Sequence, residues 1–223
     1  MSISPILAII FDFGGVLINW DPHKLFNKYF ANDTQAIDGF LAEIDFSSWN
    51  LSQDKGYPFA RAVTDLSTQF PQYAHLIRAY DEEWEETITG IIPETTDLLY
   101  QLKAAGYRLY GLTNWSAEKF SVVRHKYKVF DLFEDIVVSG EVKLIKPDPA
   151  IFSLLLQRIH RRPVECLLVD DSHKNIEAAQ RMGFLTIHFT SPVQLELELC
   201  QIGIFSSPFS CKSCSPIAVL PRK

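Results

Sequence analysis

Four short stretches hold the residues whose types could do chemistry together. Asp12 ends the apolar run Ile9-Ile10-Phe11 and is followed by Phe13, Gly14 and Gly15. Thr113-Asn114 follows the apolar stretch Tyr107 to Leu112, and Lys146-Pro147-Asp148 comes next. Asp170-Asp171-Ser172 then closes the run Cys166 to Val169. Acids, a hydroxyl, an amide and a lysine in this combination suit the handling of a phosphate ester. A carboxylate such as Asp12 can attack phosphorus and form an aspartyl-phosphate. Carboxylate and phosphate repel, and a divalent cation held by Asp12 and Asp171 would offset this; hard oxygen ligands suit Mg2+. Thr113 and Asn114 can donate to phosphoryl oxygens, and Lys146 is a point positive charge. Gly14 and Gly15 let backbone N–H groups approach an anion closely.

Taken singly, most of these residues have plainer readings. Asp12 fits a turn or a helix cap, Thr113-Asn114-Trp115-Ser116 a capping sequence, and Lys146-Pro147 an ordinary loop. Asp170-Asp171 resists such a reading, because adjacent acids after a buried strand are costly without a cation or caps. The joint pattern depends on where each stretch sits.

The elements supply that position. Apolar runs at Ile9–Phe11, Tyr107–Leu112, Ile136–Val138, Cys166–Val169 and Leu185–Phe189 read as strands. Helical patterns at Thr95–Ala105, Ser116–Lys126, Ala150–Ile159 and Asn175–Met182 alternate with them. That alternation predicts a Rossmann-like α/β fold, a parallel sheet with helices on both faces. Ligands of such sheets bind outside the carboxyl ends of the strands, where the four stretches fall. Between the first strand and residue 93 the texture differs. Asp21-Pro22 is a helix start, and helices are expected over 22–31, 34–46, 57–70 and 73–88, with Trp49, Trp84 and other aromatics as a separate core. The predicted organisation is a core of residues 1–17 and 93–205, a helical cap of 18–92, and a flexible C-terminal tail of 206–223.

Composition narrows the partners. The chain has 223 residues, is 47% hydrophobic and carries a net charge of −6. There is no basic stripe to suggest nucleic acid. No apolar stretch approaches the roughly 20 residues of a membrane span, and no basic segment precedes the first apolar run. A cytoplasmic location is the expectation. Of four cysteines, only Cys211 and Cys214 have a suggestive spacing, and one such pair in a Ser- and Pro-bearing tail is poor evidence for a metal or redox site.

With the motifs in place, the chain resembles the haloacid dehalogenase (HAD) superfamily. Asp12-Phe-Gly-Gly-Val-Leu17, Leu112-Thr113-Asn114, Lys146-Pro147-Asp148-Pro149 and Val169-Asp170-Asp171-Ser172 through Asn175 match its four motifs in order. The helical insertion resembles the family's C1-type cap, and the branch most resembled includes α-D-glucose-1-phosphate phosphatase. The resemblance implies Asp12 as nucleophile and metal ligand, with a Gly14 carbonyl, Asp171 and Asp170 also serving Mg2+. It implies Thr113 and Asn114 as phosphoryl binders and Lys146 as charge neutraliser. The substrate it implies is a small phosphorylated metabolite, with sugar phosphates among the candidates. One departure matters: family phosphatases usually place a second aspartate, the general acid, two residues after the nucleophile, and here Gly14 stands there. Since a positioned acid contributes roughly 10²–10⁴-fold, a slow phosphatase or one with a good leaving group is implied.

Two other functions fit the same scaffold. A 2-haloacid dehalogenase needs no acid, but Asp170 and Asp171 without a metal would repel a haloacid anion. A non-catalytic phospho-ligand-binding protein is also compatible, since fold does not fix activity. Trp20, His23, Trp49 and Trp115 are candidates to face a leaving group, although aromatics in helical blocks more often form core. His173 reads as a solvated residue of a helix's first turn.

Overall fold

The computed structural model describes residues 5–206. The expected tail, with Cys211 and Cys214, lies outside them apart from Ser206. Five parallel strands form the main sheet: β1 (Ala8–Phe11), β4 (Arg108–Thr113), β5 (Asp135–Val138), β6 (Cys166–Asp170) and β7 (Leu185–His188), in the order β5-β4-β1-β6-β7. The central strand is buried on both faces because its residues alternate between two packed layers. Ile9 and Phe11 join one apolar cluster, Ala8 and Ile10 the other. Helix α6 (Pro93–Ala104) places Leu98, Leu99 and Leu102 in the first cluster; α9 (Pro149–Ile159) places Ile151, Phe152 and Leu155 in the second. The predicted Rossmann-like arrangement is therefore present. Because β1 has β4 on one side and β6 on the other, the strand order reverses beside it, and a crevice opens at its carboxyl end.

Local chemistry sets several boundaries where the sequence pattern put them. Asp21 accepts the His23 N–H at 2.9 Å and starts α1 (Pro22–Phe26), while Ser116 caps α7 (Ala117–Lys126) through the Lys119 N–H at 3.2 Å. Asp148 does the same for α9 through the Ala150 N–H at 2.9 Å.

The inserted block departs from expectation in four ways, the first being that the helix expected over 22–31 stops at Phe26 and continues as turns. The helix expected over 34–46 ends at Glu43 as α2 (Thr34–Glu43), because Asp45 turns left-handed at φ 47°, and a further helix, α3 (Phe46–Asp54), follows where none was expected. Helix α4 (Phe59–Gln69) ends before Pro71, and the expected last helix shortens to α5 (Ala74–Glu82) with a 3-10 turn at Trp84–Thr87. Strands also occur at the borders of the block: β2 (Ile18–Trp20) pairs antiparallel with β3 (Ile88–Ile91), Ile18 opposite Ile91. This ribbon carries the chain out of the sheet and back.

Nor is the aromatic core separate. Tyr80 is its hub, with Phe46 at 5.0 Å and Trp49 at 5.3 Å, but Trp84 meets Trp115 at 5.9 Å and so joins the inserted helices to the layer over the sheet. The helices are seated on the carboxyl edge by continuous apolar packing. Two short elements complete the list: α8 (Ser139–Val142) follows β5, and α10 (His173–Arg181) follows β6. A last helix, α11 (Pro192–Gln201), packs Leu195 and Leu199 on the first cluster. Among the described residues, no helix is long and apolar enough to cross a membrane.

Candidate active site

Asp12 lies one residue beyond β1. Its N–H donates to the Val169 carbonyl at 2.9 Å, and its Oδ1 accepts the Phe13 N–H at 2.7 Å. Phe13 is wedged among Phe120, Phe130 and Phe133, with ring centroids 6.0, 5.0 and 5.1 Å away. The Phe13 carbonyl then accepts the N–H groups of Leu17 and Ile18, each at 2.8 Å, which closes the turn through Gly14 and Gly15. An apolar anchor thus fixes the carboxylate beside it. Gly111 on the neighbouring strand makes room, since a Cβ there would sit 2.3 Å from the Phe13 ring.

Lys146 comes to Asp12 from the loop before α9. Its Nζ is buried and lies 2.9 Å from Asp12 Oδ2, 2.7 Å from Asp170 Oδ2 and 2.8 Å from the Leu112 carbonyl. The Asn114 side chain holds the loop in place, donating to the Lys146 carbonyl at 3.0 Å and accepting its N–H at 2.9 Å. So the amide expected on the phosphoryl group is engaged in positioning the lysine. Asp170 is likewise committed: beyond Lys146, it accepts the Ser172 N–H and the Asn175 amide, each at 2.9 Å. Asn175, which closes the fourth motif, thereby acts on the site through Asp170. Thr113 Oγ1 is buried without a hydrogen-bond partner, so its hydroxyl is not engaged by the surrounding protein.

The electrostatics of the cluster follow from burial. Burial pushes the Asp12 carboxyl up to about 7, Lys146 opposes this, and Asp170 and Asp171 add to it. Asp171 is raised as well, by burial and then by Asp170. Burial pulls Lys146 down, but Asp12 and Asp170 outweigh it and hold the ammonium charged. Negative charge is in excess, three carboxylates against one lysine. Ligand oxygens of Asp12, Asp170 and Asp171 lie within 4.8 Å of one another. A hard divalent cation would balance that excess with the donors it prefers, so the residues fit Mg2+. Asp171 is the acid with coordination sites to spare, being more exposed than Asp170.

Beside the cluster lies a cavity of about 110 Å3 lined by Gly14, Asn114 and Ser116 from the core side. Trp20, Asn50, Asp54, Phe59, Trp84 and Trp115 complete its wall. Trp20 and Trp115 were legible as candidates; Asp54, Phe59 and Trp84 were not, since nothing local marks which face of a helix a distant strand end will meet. The other candidates fall elsewhere. Trp49 packs on Tyr80 and donates to the Ala62 carbonyl at 3.1 Å, and His23 pairs with Asp21 and Asp38. His173 is exposed in the first turn of α10, 3.1 Å from Glu177.

Comparison with known proteins places this geometry. The chain is 30% identical over 201 residues to the sesquiterpene phosphatase astK of Aspergillus oryzae, across 87% of this chain and 95% of that protein. It is 28% identical over 188 residues to the pyrophosphatase PpaX of Bacillus mycoides, covering 81% of each. A HAD family enzyme of Bacteroides thetaiotaomicron, solved with magnesium and inorganic phosphate, superposes with a TM-score of 0.66 at 28% identity, covering 83% of this chain and 94% of that one. The family model for haloacid dehalogenase-like hydrolases matches residues 6–183, from before β1 to the end of α10, and therefore spans every element that builds the carboxylate cluster. The chain belongs to the haloacid dehalogenase-like hydrolase family.

Proposed function

We propose that the chain is a magnesium-dependent phosphatase acting through an aspartyl-phosphate on Asp12, and that its substrate is the monophosphate of a small, largely apolar alcohol. The observation that carries the reading is the carboxylate cluster: Asp12, two residues before the cavity-lining Gly14, is fixed against buried Lys146, with Asp170 and Asp171 beside it. An Asp12 oxygen attacks phosphorus, the ester bond breaks, and the alcohol leaves; water then attacks the phosphoryl group and frees Asp12. Thr113 Oγ1 donates to a phosphoryl oxygen, and Lys146 offsets charge developing there. Magnesium, when bound, screens Asp12 from the incoming phosphate and polarises it.

The leaving-group side supports an apolar alcohol over a sugar. Trp20, Phe59, Trp84 and Trp115 are the four largest side chains of the wall and present broad apolar faces to the leaving group, beside the polar Asn50, Asp54, Asn114 and Ser116. A groove of about 450 Å3 shares Trp20 and Asn50 with the cavity and gives a longer alcohol somewhere to extend. The similarity to a sesquiterpene phosphatase points the same way. In this reading the inserted helices are a cap that selects the alcohol. The carboxylate cluster also weighs against a haloacid substrate, whose anion would meet uncompensated negative charge.

A panel of prenyl, terpenyl, aryl and sugar monophosphates, assayed with magnesium and with chelator, tests this. Turnover should require magnesium and favour the prenyl and terpenyl esters by kcat/KM. Full activity in chelator rejects the metal-assisted route, and a preference for sugar phosphates rejects the apolar alcohol.

A further inference from the structure

The geometry points to Asp54, on the inserted helices, as the acid that protonates the leaving oxygen. The inference rests on the phosphatase reading above and supplies what that reading lacks, since Gly14 has no side chain to donate a proton. Two observations converge on Asp54. First, among the residues lining the cavity it is the single acid or base, the rest being tryptophans, a phenylalanine, asparagines, a serine and Gly14. Second, a Cβ built on Gly14 would meet nothing within 4 Å, so the space beside Asp12 where a second aspartate would stand is open cavity shared with Asp54.

Asp54 is also held as an acid must be. It ends α3, and its carboxyl accepts the Ser116 N–H, which ties the helix end to the core loop after β4. Tyr80 donates to Asn50 Oδ1 at 2.8 Å, which turns the Asn50 amide to donate to Asp54 Oδ2 at 3.1 Å. The Ser139 hydroxyl donates to the Asp54 carbonyl and so fixes the main chain as well. Its environment favours the proton: burial pushes the carboxyl up to about 7, the Ser116 N–H opposes this, and the charge of Asp12 adds to it. The groups facing it are Asp12 from the loop after β1 and the Tyr80 phenol from α5, which burial and the Asp54 charge keep protonated. Lys143, which follows α8, lies against Gly56, two residues further on.

The proton balance closes. As the Asp12 oxygen bonds to phosphorus and the ester bond breaks, the departing oxygen takes the Asp54 proton and leaves as alcohol. In the second step the Asp54 carboxylate takes a proton from the water that attacks phosphorus, the Asp12–phosphorus link breaks, and phosphate leaves. An alkoxide leaving group, which needs such help most, is the kind an apolar alcohol gives.

The test compares wild type with Asp54→Asn on nitrophenyl phosphate and on alkyl monophosphates of rising leaving-group pKa, with magnesium. Removing a positioned acid should cost the alkyl esters about 10²-fold or more in kcat/KM and nitrophenyl phosphate less than about tenfold. In wild type, the ratio of alkyl to nitrophenyl turnover should fall as pH rises through about 7, where Asp54 loses its proton, and this change should vanish in the variant; ionisation of Asp12, common to both esters, cancels in the ratio. Gly14→Asp in the Asp54→Asn background should restore alkyl turnover, because the Gly14 site has room for a side chain. Thermal unfolding of Asp54→Asn verifies that it folds. Equal losses on aryl and alkyl esters by the folded variant, or no loss on either, overturn Asp54 as the acid. No turnover of any ester by wild type overturns the phosphatase reading instead, and this inference with it.

Discussion

The two sides of Asp12 are built on opposite principles. Towards the sheet edge the charged groups around Asp12 are interlocked: Lys146 bonds Asp12, Asp170 and Leu112, and Asp170 also takes Ser172 and Asn175, with Thr113 Oγ1 the polar atom left without a partner. Towards the inserted helices the wall is aromatic, and Gly14 leaves open space. A saturated network in low dielectric holds one geometry, which suits a phosphoryl group that is the same in every substrate. A wall of aromatic faces with a few polar groups and one acid suits the alcohol, the part that differs. In the proposed reading, the contrast puts phosphoryl transfer on one side, and both the choice of alcohol and its protonation on the other.

The largest expected effect lies at Asp12 itself, where both sides meet. Asp12→Asn keeps the shape but removes the nucleophilic carboxylate, so turnover should fall to background on every ester. Stability should hold or rise, because one of three crowded carboxylates is gone and Lys146 keeps Asp170. Urea unfolding beside the ester assay checks both. Substantial turnover in this variant would move the nucleophile elsewhere.

Lys146→Met should behave differently, and that difference isolates the saturated side. Breaking a buried pair leaves Asp12 and Asp170 uncompensated, at about 3–5 kcal/mol. Here activity and stability should fall together, with magnesium recovering part of the stability by supplying positive charge. A variant as stable as wild type in chelator would mean that the cluster is not the closed network described above.

The same contrast explains what could be read from the chain alone. The sheet side was legible because each strand end carries its chemistry in adjacent residues: Asp12, Thr113-Asn114, Lys146, Asp170-Asp171. Local capping marked α1 and α7 in the same way. The helical side was not, since its geometry depends on distant partners. The β2–β3 ribbon pairs Ile18 with Ile91, and three or four residues per strand leave no alternation to detect. The break at Asp45 needs a left-handed aspartate, which Asp tolerates without announcing it. Asp54 stands in a polar helix end, Ser52-Gln53-Asp54-Lys55, with no sign that it will face Gly14. Helix α11 is another matter: it was not among the expected helices, although Ser191-Pro192 before Leu195 and Leu199 is the same start signal as Asp21-Pro22.

The smallest expected effect is also the sharpest test of the comparison, because it concerns adjacent glycines facing opposite sides. Gly15 has φ +71°, a left-handed conformation, and a Cβ there would lie 2.3 Å from Asp171 Oδ2. Gly14 has neither constraint. Gly15→Ala should therefore cost about 1–2 kcal/mol for the backbone alone. Asp171 must also swing aside, so the magnesium concentration for half-maximal activity should rise. Gly14→Ala should stay within about 0.5 kcal/mol of wild type, as substitutions that meet no neighbour do, and its magnesium requirement should not change. Thermal unfolding and a magnesium titration of the two variants give both readouts. If Gly14→Ala proves as damaging as Gly15→Ala, the space beside Asp12 is not open, and both the two-sided site and the route from Asp54 to the leaving oxygen lose their footing.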